Sequence, residues 1–243
     1  MAERDRTTRL QEQIEHYEAD AGAYQRWLDH LADETNLAPV ARAARARRER
    51  LAGLVASMTP LGRVLELAAG TGRLSTLIAP HAARLVLVDS SPTSLVLARD
   101  RLVGCRCPVE LVQADLFAWQ PDEAFDTVAF AGWLHHVPLD RFAGFWSTVG
   151  ASLAPGGRVV FEFAAARSAR TDDVPPVPAQ GYGVYHQPAR NESVRDLEGR
   201  RWTVVHQLWD PERLADALRP LGWRMEVVLA EDDGFDWAVA DRL

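Results

Sequence analysis

Cysteine is nearly missing from this chain: there are two, Cys105 and Cys107, in 243 residues. They give no disulfide framework, and a Cys-x-Cys pair alone offers too few ligands for a structural zinc site. The pair reads as two reduced thiols in a loop ahead of a strand. Positive charge is not in surplus either. The 27 Lys and Arg face 34 Asp and Glu, a net charge of −7, which argues against a general binder of nucleic acid or anionic membrane surfaces. No apolar run approaches the roughly 20 residues that span a bilayer. The opening MAERDRTTRLQEQIEHYEAD has no apolar core of the signal-peptide kind. The expectation is a cytoplasmic protein with neither membrane nor nucleic acid among its partners.

What is present suits an ordinary globular chain, 47% hydrophobic and 25% charged, long enough for one large domain or a core with a small appendage. Residues 5–56 carry apolar positions at three- and four-residue spacing, interrupted near Asn36 to Pro39, and predict helices. From residue 62 the pattern changes to short Val/Leu-rich runs: RVLELA, RLVLVD, PVELVQA, FDTVAFA and GRVVFEF. Helical patterns at 72–80, 92–102 and 140–153 separate most of them. Near-continuous apolar strands alternating with helices predict a doubly wound, mostly parallel sheet covered on both faces. After Phe163 the stretch AARSARTDDVPPVPAQGYGVYHQPAR reads as irregular. SVRDLEGRRWTVVHQLW reads as a hairpin turning near Glu198 and Gly199, followed by a helix at 211–219 and strands at 222–230 and 235–241.

The stretch LELAAGTGRL places Gly70 and Gly72 at the end of the first of these strands. In an open α/β sheet that is where ligands bind, and glycines there let the backbone come close to them. A dinucleotide loop needs a third glycine where this chain has Ser75. The strand also ends in an acid, Glu66, poorly placed for a pyrophosphate but well placed for an ammonium group. The next strand ends in Asp89, 19 residues after Gly70, where a carboxylate can accept both hydrogens of a ribose diol. The third leads into QADLF, with Asp115 placed to accept from an exocyclic amine such as that of adenine. An adenosine with an amino-acid tail and no phosphates is S-adenosylmethionine.

With ELAAGTG, LVDSSP, QADLF, FDTVAFAGWLHHVP and LAPGGRVVFEF in order and in spacing, the chain resembles the class I (Rossmann-like) S-adenosylmethionine-dependent methyltransferases, in particular actinobacterial-type small-molecule methyltransferases, across residues 60–241. The resemblance implies an α/β fold with a doubly wound seven-stranded sheet, a helical N-terminal cap and a β-hairpin insertion after strand 5. It divides the chain into a cap at 1–58 and a cofactor-binding catalytic domain at 59–243 with an insertion at about 164–208. It implies that Glu66, Ala68, Gly70 and Gly72 meet the methionine part, Asp89 and Ser90 the ribose, and Asp115 with Leu116 the adenine. Ala131 and Tyr24 complete the cofactor set. Ala68 replaces the first glycine of the family pattern, a change the backbone accepts where φ stays negative.

The expected product is S-adenosylhomocysteine, and the expected acceptor an oxygen or nitrogen of a small metabolite. The loop GWLHHVP would face the transferable methyl group, so His135 and His136 are the candidate bases; the alternatives are that they order the loop and pack, with proximity alone doing the catalysis. Tyr17, Trp27, Trp133, Tyr182, Tyr185 and His186 are the candidate acceptor-binding residues, with Tyr17, Tyr24 and Trp27 at helical spacing for a lid. Two other readings share the pocket: a cyclising enzyme that does not methylate, and a non-catalytic S-adenosylmethionine-binding subunit. The oligomeric expectation is a monomer or homodimer. ARAARARRER, with five arginines at 41–50, reads as a solvated helix face, and the acidic EDD at 231–233 as loop charge. His81 and His206 have no companions at ligand spacing, and no metal is inferred.

Overall fold

Alternating strands and helices build two layers of helix around one sheet. The computed structural model describes residues 2–166, 174–177, 182–187, 191–197, 199–231 and 234–243, with the side chains of 2–8, 27–28, 174–177, 182–187 and 197 outside the described set. The strands β1 (Gly62–Leu67), β2 (Ala82–Asp89), β3 (Val109–Gln113), β4 (Phe125–Phe130), β5 (Leu153–Ala164), β10 (Trp223–Leu229) and β11 (Phe235–Arg242) form a seven-stranded sheet in the order β10-β11-β5-β4-β1-β2-β3. The first five are parallel, while β11 runs antiparallel to both its neighbours. The chain order reverses between β1 and β4, which makes the carboxyl end of β1 the switch point of the sheet.

Side chains alternate across each strand. Leu65, Leu67, Val86, Val88, Phe130 and Phe161 pack on one face with α5 (Leu139–Ala151) and α6 (Pro211–Leu218), around Trp146 and Trp223. Val64, Leu85, Leu87, Ala129 and Val160 pack on the other with α2 (Pro39–Ser57), the single turn α3 (Ser75–Ile78) and α4 (Pro92–Arg101). The predicted helix over 72–80 is thus shortened to α3 and a 3₁₀ turn at Ala79–His81, because Gly70 and Gly72 both take positive φ.

The N-terminal helices α1 (Ala2–Ala32) and α2 break where predicted. Asp33 accepts the Thr35 N–H at 2.9 Å, Asn36 accepts the Ala38 N–H at 3.1 Å, and Pro39 opens α2, which are local turn contacts that compete with helix. The insertion holds more structure than a hairpin. The hairpin β8 (Glu192–Leu197) and β9 (Arg200–Val205) has the predicted turn, but β6 (Val174–Val177) and β7 (Tyr182–Gln187) extend it into a four-stranded antiparallel sheet in the order β6-β7-β8-β9. VPPV and YGVYHQ lack a clear alternation; cross-strand pairing, not local propensity, makes them strands, and the prolines lie on an edge strand where missing donors are tolerated.

The arginine run in α2 is not simply a solvated face. Arg45 donates to the carbonyls of Leu31, Asp33 and Asn36, Arg48 to Thr76 Oγ1 at 2.9 Å, Arg47 pairs with Glu162, and Arg50 with Glu231. Glu231 is buried rather than a loose loop charge. Glu162 lies on the α2 side of β5 and accepts the Gly132 N–H on its second oxygen at 2.8 Å. Arg47→Ala strips a buried carboxylate of its cation, and should cost about 2–3 kcal/mol in urea unfolding; adding Glu162→Gln to that variant should recover part of the loss.

Candidate functional site

Glu66 follows Leu65 on β1 and therefore points to the α2–α4 side, where it is 2% exposed. Ser75 holds it: the hydroxyl donates to Oε2 at 2.6 Å. Burial pushes the carboxyl up to about 8, with the Ser75 hydrogen bond opposing and the Asp89 charge adding to the rise. The residue that disqualified the loop as a dinucleotide motif is thus the residue that holds the acid.

Past Glu66 the chain turns through three left-handed residues: Ala68 at φ +51°, Gly70 at +54° and Gly72 at +78°. Ala68 does not keep the negative φ expected of a non-glycine. Its Cβ costs about 1 kcal/mol there. Gly70 faces open space, with nothing within 4 Å of a Cβ built on it; at Gly72 such a Cβ would stand 3.0 Å from Ala98 on α4. The two glycines therefore do different things: the first leaves room beside the loop and the second lets the loop pack on a helix. Between them Thr71 is 4% exposed, and its hydroxyl has no partner among the described residues.

Asp89 ends β2 and joins two loops. Oδ2 accepts the Gly70 N–H at 2.8 Å and Oδ1 the Ser91 N–H at 2.9 Å. Burial raises its pKa, against the N–H groups of Ser91, Gly70 and Ser90, and the Glu18 charge adds to the rise. Each oxygen keeps a lone pair for a further donor. Ser91 caps α4 through Ser94 N–H at 2.9 Å, and its own hydroxyl donates to Glu18 of α1. Glu18 also accepts from the hydroxyl and N–H of Thr93. Burial would raise Glu18, but these donors prevail and hold it below the ordinary carboxylate range.

Asp115 lies exposed after β3 and accepts the Phe117 N–H at 2.9 Å, while Leu116 is buried in the core, which leaves the main chain of Leu116 for any ligand. Phe117 and Trp133 pack with ring centroids 5.5 Å apart, an aromatic pair beside that turn. The Trp133 indole N–H is buried without a partner. Ala131 follows β4 and packs, partly buried, among the apolar side chains of the α2–α4 face.

The two histidines share a 3₁₀ turn, Leu134–His136, and both are buried. His136 has both nitrogens engaged: Nδ1 lies 2.6 Å from the Val205 carbonyl and Nε2 2.5 Å from the Tyr17 hydroxyl. The carbonyl can only accept, so Nδ1 carries the hydrogen and the Tyr17 O–H donates to Nε2. Burial, then the nearby Arg195 and His206, hold His136 well below its ordinary pKa. The His135 ring packs on His136, His206 and Phe235 at 3.9, 5.1 and 5.4 Å. His206, isolated in the sequence, thus joins the pair; the 70 residues between them hide this from any spacing rule.

Of the other predicted residues, Tyr24 is 39% exposed on α1 and acts electrostatically on Arg101 of α4. The side chain of Trp27 lies outside the described residues, as do those of Tyr182, Tyr185 and His186, whose backbones belong to β7. Thr71, Glu18 and Phe117 were not singled out by the sequence, and Ser75 only as the residue in place of a third glycine. Two changes probe the loop: Ala68→Gly should stabilise the protein by about 1 kcal/mol in urea melts by removing the left-handed strain. Gly72→Ala, with its Cβ against Ala98, should lose about 2 kcal/mol or more.

Residues 64–157 match the model of a methyltransferase domain family. The chain is 33% identical over 171 residues to the demethylmenaquinone methyltransferase of Clavibacter sepedonicus and 29% identical over 120 residues to nodulation protein S of Rhizobium tropici. These matches cover 66% and 48% of this chain but only 65% and 49% of those two proteins. The similarity to DhpI runs nearly end to end. Its complex with SAH aligns at TM-score 0.72 and 31% identity, and its complex with SAM and HEP at 0.73 and 32%, each over 96% of this chain and 97% of that one. Switch-point loop, acids and relatives agree, and the chain belongs to the class I S-adenosylmethionine-dependent methyltransferase family.

Proposed function

We propose that this methyltransferase acts on an oxygen or nitrogen atom of a small metabolite, with residues 1–58 as a cap over the site. The observation that carries the reading is the reach of α1: Tyr17 touches His136 beyond β4, while its neighbour Glu18 holds Ser91 and Thr93 beyond β2. One helix thus closes over both sides of the switch point. Such a compartment suits a small acceptor.

The cofactor fits the residues present. Gly70 leaves open space beside the loop and the buried Thr71 hydroxyl lacks a partner, the features expected where a carboxylate or ammonium is to be received. In this reading the main chain of Ala68 to Gly72 and the Thr71 hydroxyl hold the amino-acid end, with Glu66 nearest the ammonium. Asp89 accepts from the ribose hydroxyls, with Ser90 beside it, and Asp115, Leu116 and Phe117 receive the adenine. When bound, the cofactor supplies a sulfonium methyl already activated for transfer. The protein then has to orient a nucleophile in line with it and exclude water. His136 is neutral and its free lone pair is taken by Tyr17. A proton leaving the acceptor therefore reaches the imidazole only by way of the Tyr17 hydroxyl, and the pair chiefly positions Tyr17 against the acceptor. The burial that keeps His136 neutral also makes it a poor resting place for a proton, so proximity carries most of the rate.

Calorimetric titration with S-adenosylmethionine and S-adenosylhomocysteine tests the cofactor assignments. Binding of both should be micromolar, and Asp89→Ala should weaken it by about 100-fold or more through the loss of two charge-assisted hydrogen bonds. No binding by the wild type, or an unaffected variant, contradicts the assignment.

Glu66 adds a pH dependence. Its pKa stands at about 8 in the free protein, and an adjacent ammonium lowers it by favouring the ionised form. Affinity should therefore rise as pH climbs toward 8 and level off above it, with up to about one proton released on binding at pH 7. Glu66→Gln should abolish both the slope and the buffer-dependent heat of that proton.

A further inference from the structure

The buried face of α1 carries polar groups that the cofactor reading does not use. Gln13, His16, Tyr17 and Asp20 follow one another at three- and four-residue spacing, so they share a face. Gln13 is satisfied, donating to the His136 carbonyl and accepting the Val205 N–H at 3.1 Å, and Tyr17 is bound to His136. His16 and Asp20 differ. Among the described residues, His16, wholly buried, has neither ring nitrogen partnered, and Asp20, 3% exposed, has Oδ1 unpartnered.

Opposite them stands the small sheet. Antiparallel partners share a face, and so do residues two apart on a strand. Arg195 pairs with Trp202 and Ser193 with Val204, which places all four on one face of β8 and β9. Trp202, Val204 and Ser193 are buried there, and the Trp202 ring packs 5.3 Å from that of His16. The Ser193 hydroxyl, fully buried, has no partner among the described residues either. The Arg195 guanidinium acts on His16, Asp20 and His136 alike, so its charge is felt throughout this layer. Burial, then Arg195, hold the His16 imidazole at about 3, and burial lifts Asp20 to about 6 against Arg195; His16 is therefore a neutral donor and acceptor at working pH.

Each buried polar group left unmade costs about 1–3 kcal/mol, and such groups seldom persist without a ligand or water to meet them. Three of them, facing one another across a helix and a sheet and next to Tyr17, need both donors and acceptors from whatever fills the layer. We propose that His16, Asp20, Ser193 and Arg195 form the acceptor subsite, and that the acceptor is a small hydroxy acid: a negatively charged oxygen group toward Arg195 and Ser193, and a hydroxyl toward Asp20 and His16. This rests on the methyltransferase reading above and names the substrate class of that same site.

The test is a chemical-shift titration of the protein, with S-adenosylhomocysteine added, using glycolate, acetate and ethylene glycol as probes. Glycolate should bind about tenfold more tightly than ethylene glycol, with acetate between them, the scale of one charge-assisted hydrogen bond. Arg195→Gln should erase that preference, Arg195→Lys should keep part of it, and both should leave S-adenosylhomocysteine affinity unchanged. If Arg195→Gln fails to fold, Ser193→Ala takes its place, with glycolate binding weakened about fivefold. Glycolate no tighter than ethylene glycol, or a preference that survives Arg195→Gln or its Ser193→Ala replacement, overturns the proposal. Should S-adenosylhomocysteine itself not bind, the cofactor assignment falls, and the same probes titrated into the ligand-free protein still decide the subsite by the same criteria.

Discussion

The Asp89 carboxylate holds the site together. With one oxygen on the Gly70 N–H and the other on the Ser91 N–H, it pins the loop after β1 to the loop after β2. The sheet brings these loops side by side because β1 and β2 are parallel neighbours. Burying that charge is costly, and the backbone donors offset the cost without spending the remaining lone pairs. The same carboxylate can therefore shape the loop and still receive hydroxyls. Glu66, one strand away and facing the same side, is treated differently. Among the described residues Ser75 alone meets it, so burial dominates. One acid is braced by the backbone and the other is left responsive to whatever cation arrives.

The cap is tied to this centre by polar contacts rather than by apolar packing alone. Arg9 pairs with the buried Glu192, Gln13 bridges to the backbone of β9, Tyr17 meets His136, and Glu18 supplements the cap of α4. Behind α1, Arg47 and Arg50 of α2 fasten the helix to buried carboxylates at the ends of β5 and β10. Hydrogen bonds of this kind demand defined geometry, so they fix the register of the cap on the domain where a greasy interface would let it slide. They also place the small sheet, since β9 is held between α1 and the His136 turn.

Much of the fold was legible because its signals are local. Apolar runs ending in Glu66, Asp89 and the QADLF turn lie within single strand–loop units, and an acid at a strand end can be read without knowing what lies across the sheet. The seven-stranded, mostly parallel sheet was expected from the family resemblance that those units carry. What escaped reading depends on distant residues. Ser75 appeared only as a glycine that was missing, yet it holds Glu66; His206 seemed solitary and stands beside His135; Arg47 and Arg50 looked solvated because their acids lie 115 and 181 residues away. Ala68 was expected to avoid positive φ, and the turn overrode that local preference. β6 and β7 took strand form from pairing that no alternation announced.

The central claim is that the cofactor lies across the β1–β4 switch point with its ribose on Asp89 and its amino end toward Glu66. A crystal structure with S-adenosylhomocysteine tests it most directly. The account predicts both ribose hydroxyls within about 3 Å of the Asp89 oxygens, the ammonium nearer Glu66 than any other acid, and the Thr71 hydroxyl in contact with the amino-acid end. A nucleoside bound elsewhere, or one that leaves Asp89 with only its backbone donors, would contradict it.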